Sequence, residues 1–171
     1  MSSDEIKSAT AHEVNNSKMQ GGVMKYTEEV RNLFSAPEEY YLAHCISADF
    51  GMGKGIVVEF NNRFDMKRKL KSKYPKYLSD FSQMAITGDC ILEGRVLNLV
   101  TKERYFYKPT YNSLTIALRR MKQICIDCGI SKVAMPMIGS GLDRLEWRKV
   151  SQIIQEVFND SDVEILVCRL K

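Results

Sequence analysis

The chain has 171 residues, of which 44% are apolar and 27% charged, and a net charge of +4. That is the size of one domain with ordinary globular composition, and too mildly basic for charge alone to demand a nucleic-acid partner. No apolar run approaches the ~20 residues needed to cross a bilayer, and the N-terminus lacks the basic-then-apolar layout of a secretory signal.

Residues 1 to 22 are polar, with Asn15-Asn16-Ser17 and Gly21-Gly22 and no apolar period, which predicts a disordered leader before a folded domain over 23 to 171. Val23–Tyr26 and Tyr40–Ala43 read as short strands separated by a turn at Ser35-Ala36-Pro37. Gly51-Met52-Gly53-Lys54-Gly55 then opens a helix, with Ile56, Val57, Phe60 and Phe64 at helical spacing. Between Asn61 and Lys76, seven Lys and Arg (Arg63, Lys67, Arg68, Lys69, Lys71, Lys73, Lys76) face one acid, Asp65, as a solvated helix face would.

Met84–Gly94 and Arg95–Thr101 alternate as paired strands. Thr110–Gly129 is a helix with an inward stripe of Leu114, Leu118, Met121, Cys125 and Cys128, capped by Gly129. Lys132–Ile138 is a buried strand. Glu146–Phe158 is a helix with Trp147, Val150, Ile153, Ile154 and Val157 inward, and Val163–Leu170 is a closing strand. Strands alternating with helices predict an α/β layered domain whose ligand lies where strand ends meet loops.

Five cysteines, Cys45, Cys90, Cys125, Cys128 and Cys168, are odd in number and fall in core-like segments, which predicts reduced thiols in an intracellular protein of the nucleus, the cytoplasm or both. The lone CxxC, Cys125 to Cys128, has no second pair and no histidine cluster, so it reads as packing rather than a zinc site.

Two glycine-rich strand-to-helix junctions remain, Gly51-Met-Gly53-Lys-Gly55 and Gly139-Ser140-Gly141. Glycine lets backbone N–H groups turn toward an anion, and a helix start behind them adds partial positive charge. Neither common nucleotide motif fits. A P-loop would need glycine at Ala48 and Ser or Thr at Gly55, and the spacing GxGxG is not the dinucleotide fingerprint.

The segments His44-Cys45-Ile46-Ser47, Gly51-Met-Gly53-Lys-Gly55-Ile56, Thr101-Lys102, Lys108-Pro109-Thr110-Tyr111 and Met135-Pro-Met-Ile-Gly-Ser-Gly-Leu-Asp-Arg-Leu145 together resemble the macro domain family. More narrowly they resemble the terminal ADP-ribose protein glycohydrolase branch, also described as O-acetyl-ADP-ribose deacetylase. The resemblance runs from about Met24 to Leu170. It implies a three-layer α/β/α sandwich around a mixed six-stranded sheet, with ADP-ribose across the strand ends. It also implies catalysis by Lys102 and Asp143, with Leu33 and Leu170 on the adenosine side. The loop Met137, Ile138, Gly139, Ser140, Gly141, Leu142 would wrap the phosphates and distal ribose, faced by Ser47, Met52, Gly53 and Gly55, with Thr101 beside the lysine. Where the family carries Gly-Asp before Leu-Phe, its aspartate contacting adenine, this chain has Arg31-Asn32, without the charge.

The chemistry of the two residues agrees with that implication. A neutral lysine amine attacks the electrophilic anomeric carbon of the distal ribose; burial or a cationic neighbour such as Arg104 would favour the neutral form. Asp143 would act as base. No metal and no cofactor is implied. Taken alone, Asp143-Arg-Leu-Glu146 is also a capping box, with Asp143 as the helix cap, and His44 is a packed strand-end histidine. The expected function is hydrolysis: release of terminal mono-ADP-ribose from acidic side chains and deacylation of O-acyl-ADP-ribose. The expected partners are ADP-ribose and mono-ADP-ribosylated proteins, with no membrane, no nucleic acid and a monomeric chain. The alternative is a reader module that binds ADP-ribose without turnover.

Overall fold

The computed structural model describes residues 24 to 170; the predicted leader lies outside them. Six strands form one sheet: β1 (Lys25–Val30), β2 (Tyr41–Ser47), β3 (Asp89–Glu93), β4 (Val96–Lys102), β5 (Lys132–Met135) and β6 (Glu164–Arg169). Their spatial order is β1-β6-β5-β2-β4-β3. All neighbours are parallel except β3 against β4, which are joined by the tight turn at Gly94. The sheet is therefore mixed.

Each central strand buries both faces, as interior parallel strands do. Leu97 and Leu99 of β4, Val133 and Met135 of β5, and Ile165 and Val167 of β6 point to one core. Val96 and Val100, Ala134, and Leu166 and Cys168 point to the other. The first core is roofed by α4 (Tyr111–Cys128) and α5 (Trp147–Phe158), through Leu114, Leu118, Met121, Val150, Ile154 and Phe158. The second is roofed by α1 (Ile56–Phe64), α2 (Met66–Lys73) and α3 (Tyr77–Gln83), through Phe60, Met66, Leu70 and Phe81. These are the three expected layers.

Several boundaries differ from the sequence expectation. The predicted strand over Lys132–Ile138 stops at Met135, since Pro136 has no N–H to continue the ladder. The first half of Met84–Gly94 is no strand: Ala85 turns at a φ of 55°, and Gly88 lies so close to α4 that a Cβ there would fall 2.3 Å from the Ser113 carbonyl oxygen. Cys125 is buried but Cys128, the last residue of α4, is exposed, so only Cys125 belongs to the inward stripe. The basic run is solvent-facing and partly paired, Arg68 with Asp65 and Lys73 with Glu93 at 2.8 Å.

α4 has both caps the sequence offered. Thr110 and Ser113 bond reciprocally as a capping box, and Gly129 closes the far end at a φ of 69°. Ser113 Oγ also donates to the Thr101 carbonyl at 2.7 Å, which ties the start of α4 to the end of β4 beside Lys102. No helix of the described residues is long and apolar enough to cross a membrane.

Candidate active site

Five strands run the same way, so their C-terminal ends share one rim, where open α/β sheets place ligands. β2 leads into the first glycine loop, β5 into the second, and β4 ends on Lys102. β1 leads to the 3₁₀ turn Leu33–Ser35, and β6 to Leu170. Every loop singled out in the sequence lies on this rim.

At its centre, Lys102 Nζ donates to Asp143 Oδ1 at 2.9 Å, and the two side chains are only 15% and 16% exposed. Asp143 is not the helix cap. α5 starts later, with Glu146 as its N-cap and no side-chain cap bond, because the loop first closes on itself through Leu145 N–H to the Gly139 carbonyl at 2.7 Å. That closure places Arg144 at a φ of 64° and leaves the Asp143 carboxylate facing the lysine.

The two glycine loops meet. Gly55 has a φ of 77°, and a Cβ there would come within 3.3 Å of Leu142 Cδ1. Gly139 also needs a left-handed backbone, with a φ of 74° and Leu145 packed behind it. Gly53 and Gly141 have nothing within 4 Å of a would-be Cβ, so their bare backbone faces open space. Backbone donors can be approached closely there.

Other predicted side chains point elsewhere. Leu33, Met52 and Ile138 are buried in the two cores, and Thr101 is buried. Ser47 is buried and its hydroxyl donates to Asp49 Oδ1 at 2.6 Å. Met137 is partly buried against the first core, and Ser140 Oγ bonds back to the Ile138 carbonyl. Leu170 is exposed, next to β1 and three strands from Lys102.

Residues given no supporting role by the sequence hold this arrangement. Asp49 accepts from Ser47, from Gly51 N–H and, through its other oxygen, from Tyr105 N–H, joining the first glycine loop to the segment after Lys102. Burial works to raise its carboxyl, but these hydrogen bonds and nearby Arg104 outweigh that and leave it below the ordinary range. Arg104 therefore sits by Asp49, and the charged neighbour of Lys102 is Asp143. Lys108 Nζ donates to the Leu142 carbonyl at 2.9 Å and the Glu146 N–H donates to the Tyr111 hydroxyl at 3.0 Å, so the segment after β4 pins the Asp143 loop on both sides. Under the pair lies Cys45, whose thiol is pushed up to about 12 by burial first and by the Asp143 carboxylate next. It is held as a neutral thiol. Ser47-Ala-Asp49-Phe-Gly51 carries a readable signal, an aspartate bonding the N–H two residues on.

No family model matches the chain. The human protein named ADP-ribose glycohydrolase OARD1 is 40% identical over 140 residues, which cover 81% of this chain and 88% of that one. The chain belongs to the macro domain family, in this glycohydrolase branch. The bovine protein of the same name matches equally, at 40% over 140 residues.

Solved macro domains share the fold. That of Mycobacterium tuberculosis DarG, 22% identical, superposes with a TM-score of 0.66 over 85% of this chain and 98% of its own. Thermosipho africanus DarTG, solved in complex with ADP-ribose and 16% identical, gives 0.64 over 85% of this chain and 41% of its own. Against the family pattern, Asn32 is exposed and spends its side-chain oxygen on the Phe34 N–H at 2.8 Å, capping the turn that carries Leu33. A carboxylate there would cap as well; the asparagine removes charge from the rim without removing the turn.

Two surface depressions lie away from this rim. One of about 610 Å³ is lined by Glu28, Trp147, Ser151 and Gln155, and one of about 430 Å³ lies between α4 and α5. Neither contains Lys102 or Asp143.

Proposed function

We propose that the protein is a hydrolase that releases ADP-ribose from acidic side chains of mono-ADP-ribosylated proteins and deacylates O-acyl-ADP-ribose. The observation that carries this is the 2.9 Å contact of Lys102 with Asp143 between two converging glycine loops. The name of the relatives, ADP-ribose glycohydrolase, supports it.

The diphosphate would lie along the bare backbone of Gly53 and Gly141, near the start of α1. Asp143 takes a proton from the Lys102 ammonium, at the distance at which they already touch. The amine then bonds to the anomeric carbon of the distal ribose. The bond from that carbon to the protein's carboxylate oxygen breaks, and the carboxylate leaves with the electron pair. Water adds to the anomeric carbon and loses one proton to solvent, the carbon–nitrogen bond breaks with its electron pair going to nitrogen, and ADP-ribose leaves as the lysine takes back from Asp143 the proton it gave. For an O-acyl ester, Asp143 instead serves as base toward the attacking hydroxyl.

A reader module would hold the same nucleotide and form no covalent adduct. Incubation with ADP-ribose and measurement of intact mass separates the two. A mass gain that disappears in Lys102→Ala is the expected result, and no gain alongside undiminished binding would leave the reader.

A further inference from the structure

The segment leaving β4 carries Tyr105, Phe106 and Tyr107, which are 63%, 62% and 45% exposed. Its ends are fixed. The Tyr105 N–H bonds to Asp49, and its side chain lies against Gly51, where a Cβ would come within 3.3 Å of it. Lys108 holds the Leu142 carbonyl. The three rings are thus suspended between the two glycine loops and pack edge-to-face on one another, at 5.2 and 5.0 Å. Single exposed apolar residues are ordinary. Three consecutive exposed aromatics on a tethered segment, extended by exposed Leu142, have the composition of an interface core.

The strand order says what meets them, granted the function proposed above. The nucleotide would run from Leu33 and Leu170, at the ends of β1 and β6, across β5 and β2 to Lys102 at the end of β4. At about 4.8 Å per strand, β6 to β4 is about 14 Å. The scissile bond stands at Lys102, and whatever lies beyond it continues past β4, onto the aromatic segment. The exposed cations at this part of the rim, Lys54 and Arg144, complement an acidic partner.

We propose that Tyr105, Phe106 and Tyr107 are the docking surface for the polypeptide around the modified residue, an acidic segment, and that they distinguish a modified protein from the free nucleotide. The test compares two ligands by calorimetry on the Lys102→Ala chain, which prevents turnover: free ADP-ribose, and a glutamate-rich peptide carrying one ester-linked ADP-ribose. The peptide is expected to bind about tenfold tighter. Phe106→Ser with Tyr107→Ser should erase that advantage while ADP-ribose affinity stays within about twofold, and Phe106→Trp should keep it. A peptide no tighter than ADP-ribose, or an advantage untouched by the substitutions, overturns the proposal. So does a single-stranded oligonucleotide that binds with the same sensitivity, which would make the rings a base-stacking platform. Failure of ADP-ribose itself to bind would sink the function proposed above along with the docking surface; loss of the ratio alone would sink only the latter.

Discussion

Lys102 and Asp143 are 41 residues apart in the chain and 2.9 Å apart in space, each at the end of a differently tethered segment. Lys102 is fixed through the bond of α4 to the Thr101 carbonyl, and Asp143 through the closed loop from Gly139 to Leu145. Groups that act as a unit lose activity once, not twice. Lys102→Ala and Asp143→Ala are each expected to lower the rate of ADP-ribose release by about a thousandfold, and the double variant by no more. Single-turnover rates for the three variants check this, and multiplicative losses would show that the residues act independently.

Lys108 touches only a backbone oxygen of the Asp143 loop, on the exposed side. Its loss should loosen the carboxylate rather than the fold. Lys108→Ala is expected to lower kcat about tenfold with KM little changed, and Lys108→Arg to restore much of the rate. Equal losses in KM and kcat, with no rescue, would place Lys108 in ligand binding instead.

The glycines of the second loop should separate stability from binding. Gly139→Ala forces a left-handed φ of 74° on an L residue and sets a methyl 3.1 Å from Leu145, so it should cost about 1–2 kcal/mol. Gly141→Ala meets no protein atom within 4 Å and should leave stability within about 0.5 kcal/mol. If its bareness admits a phosphate, ADP-ribose affinity should nevertheless fall. Urea midpoints and calorimetry on both variants read the two effects.

His44 should make stability fall on acidification. Its ring is fully buried, stacked on Phe60 at 3.7 Å and bonded to Asn98 at 2.6 Å. Burial lowers it to about 4, while the Asn98 bond opposes the shift. Above pH ~6.5 the ring is neutral in both folded and unfolded chains, so it adds no pH dependence. Between there and about pH 4 the unfolded chain takes a proton that the native chain refuses, so stability falls. By pH 5 this ring should account for about 2 kcal/mol relative to pH 7. Denaturant unfolding of the native chain and of His44→Gln, compared over that range, isolates the histidine from the carboxylates.

The layers were legible because apolar stripes of 3.6 and 2 residues recur with clear punctuation; Thr110 and Gly129 marked α4 by chemistry that acts locally. The pairing of Lys102 with Asp143 was legible only through resemblance, since neither Lys102-Glu103-Arg104 nor Asp143-Arg-Leu-Glu146 differs locally from a solvated strand end and a helix cap. The cap reading failed on a backbone bond, Leu145 to Gly139, that depends on a left-handed residue no spacing rule announces. The long-range ties of Asp49 and Lys108 leave no local trace, because their partners, Tyr105 and Leu142, are 56 and 34 residues away. The extra strand length expected at Met84–Gly88 was lost to a packing contact with α4, and the common side expected for Cys125 and Cys128 to the helix ending at Cys128.

β6 sits between β1 and β5 and, among the described residues, is the only strand that β1 pairs with. As the chain leaves the ribosome, β1 is made before β6 and must wait, with an open edge, until β6 arrives to zip it in. The rim is therefore complete only once β6 has been made, and a nascent chain carries Lys102 and Asp143 before all the strand ends around them are in place.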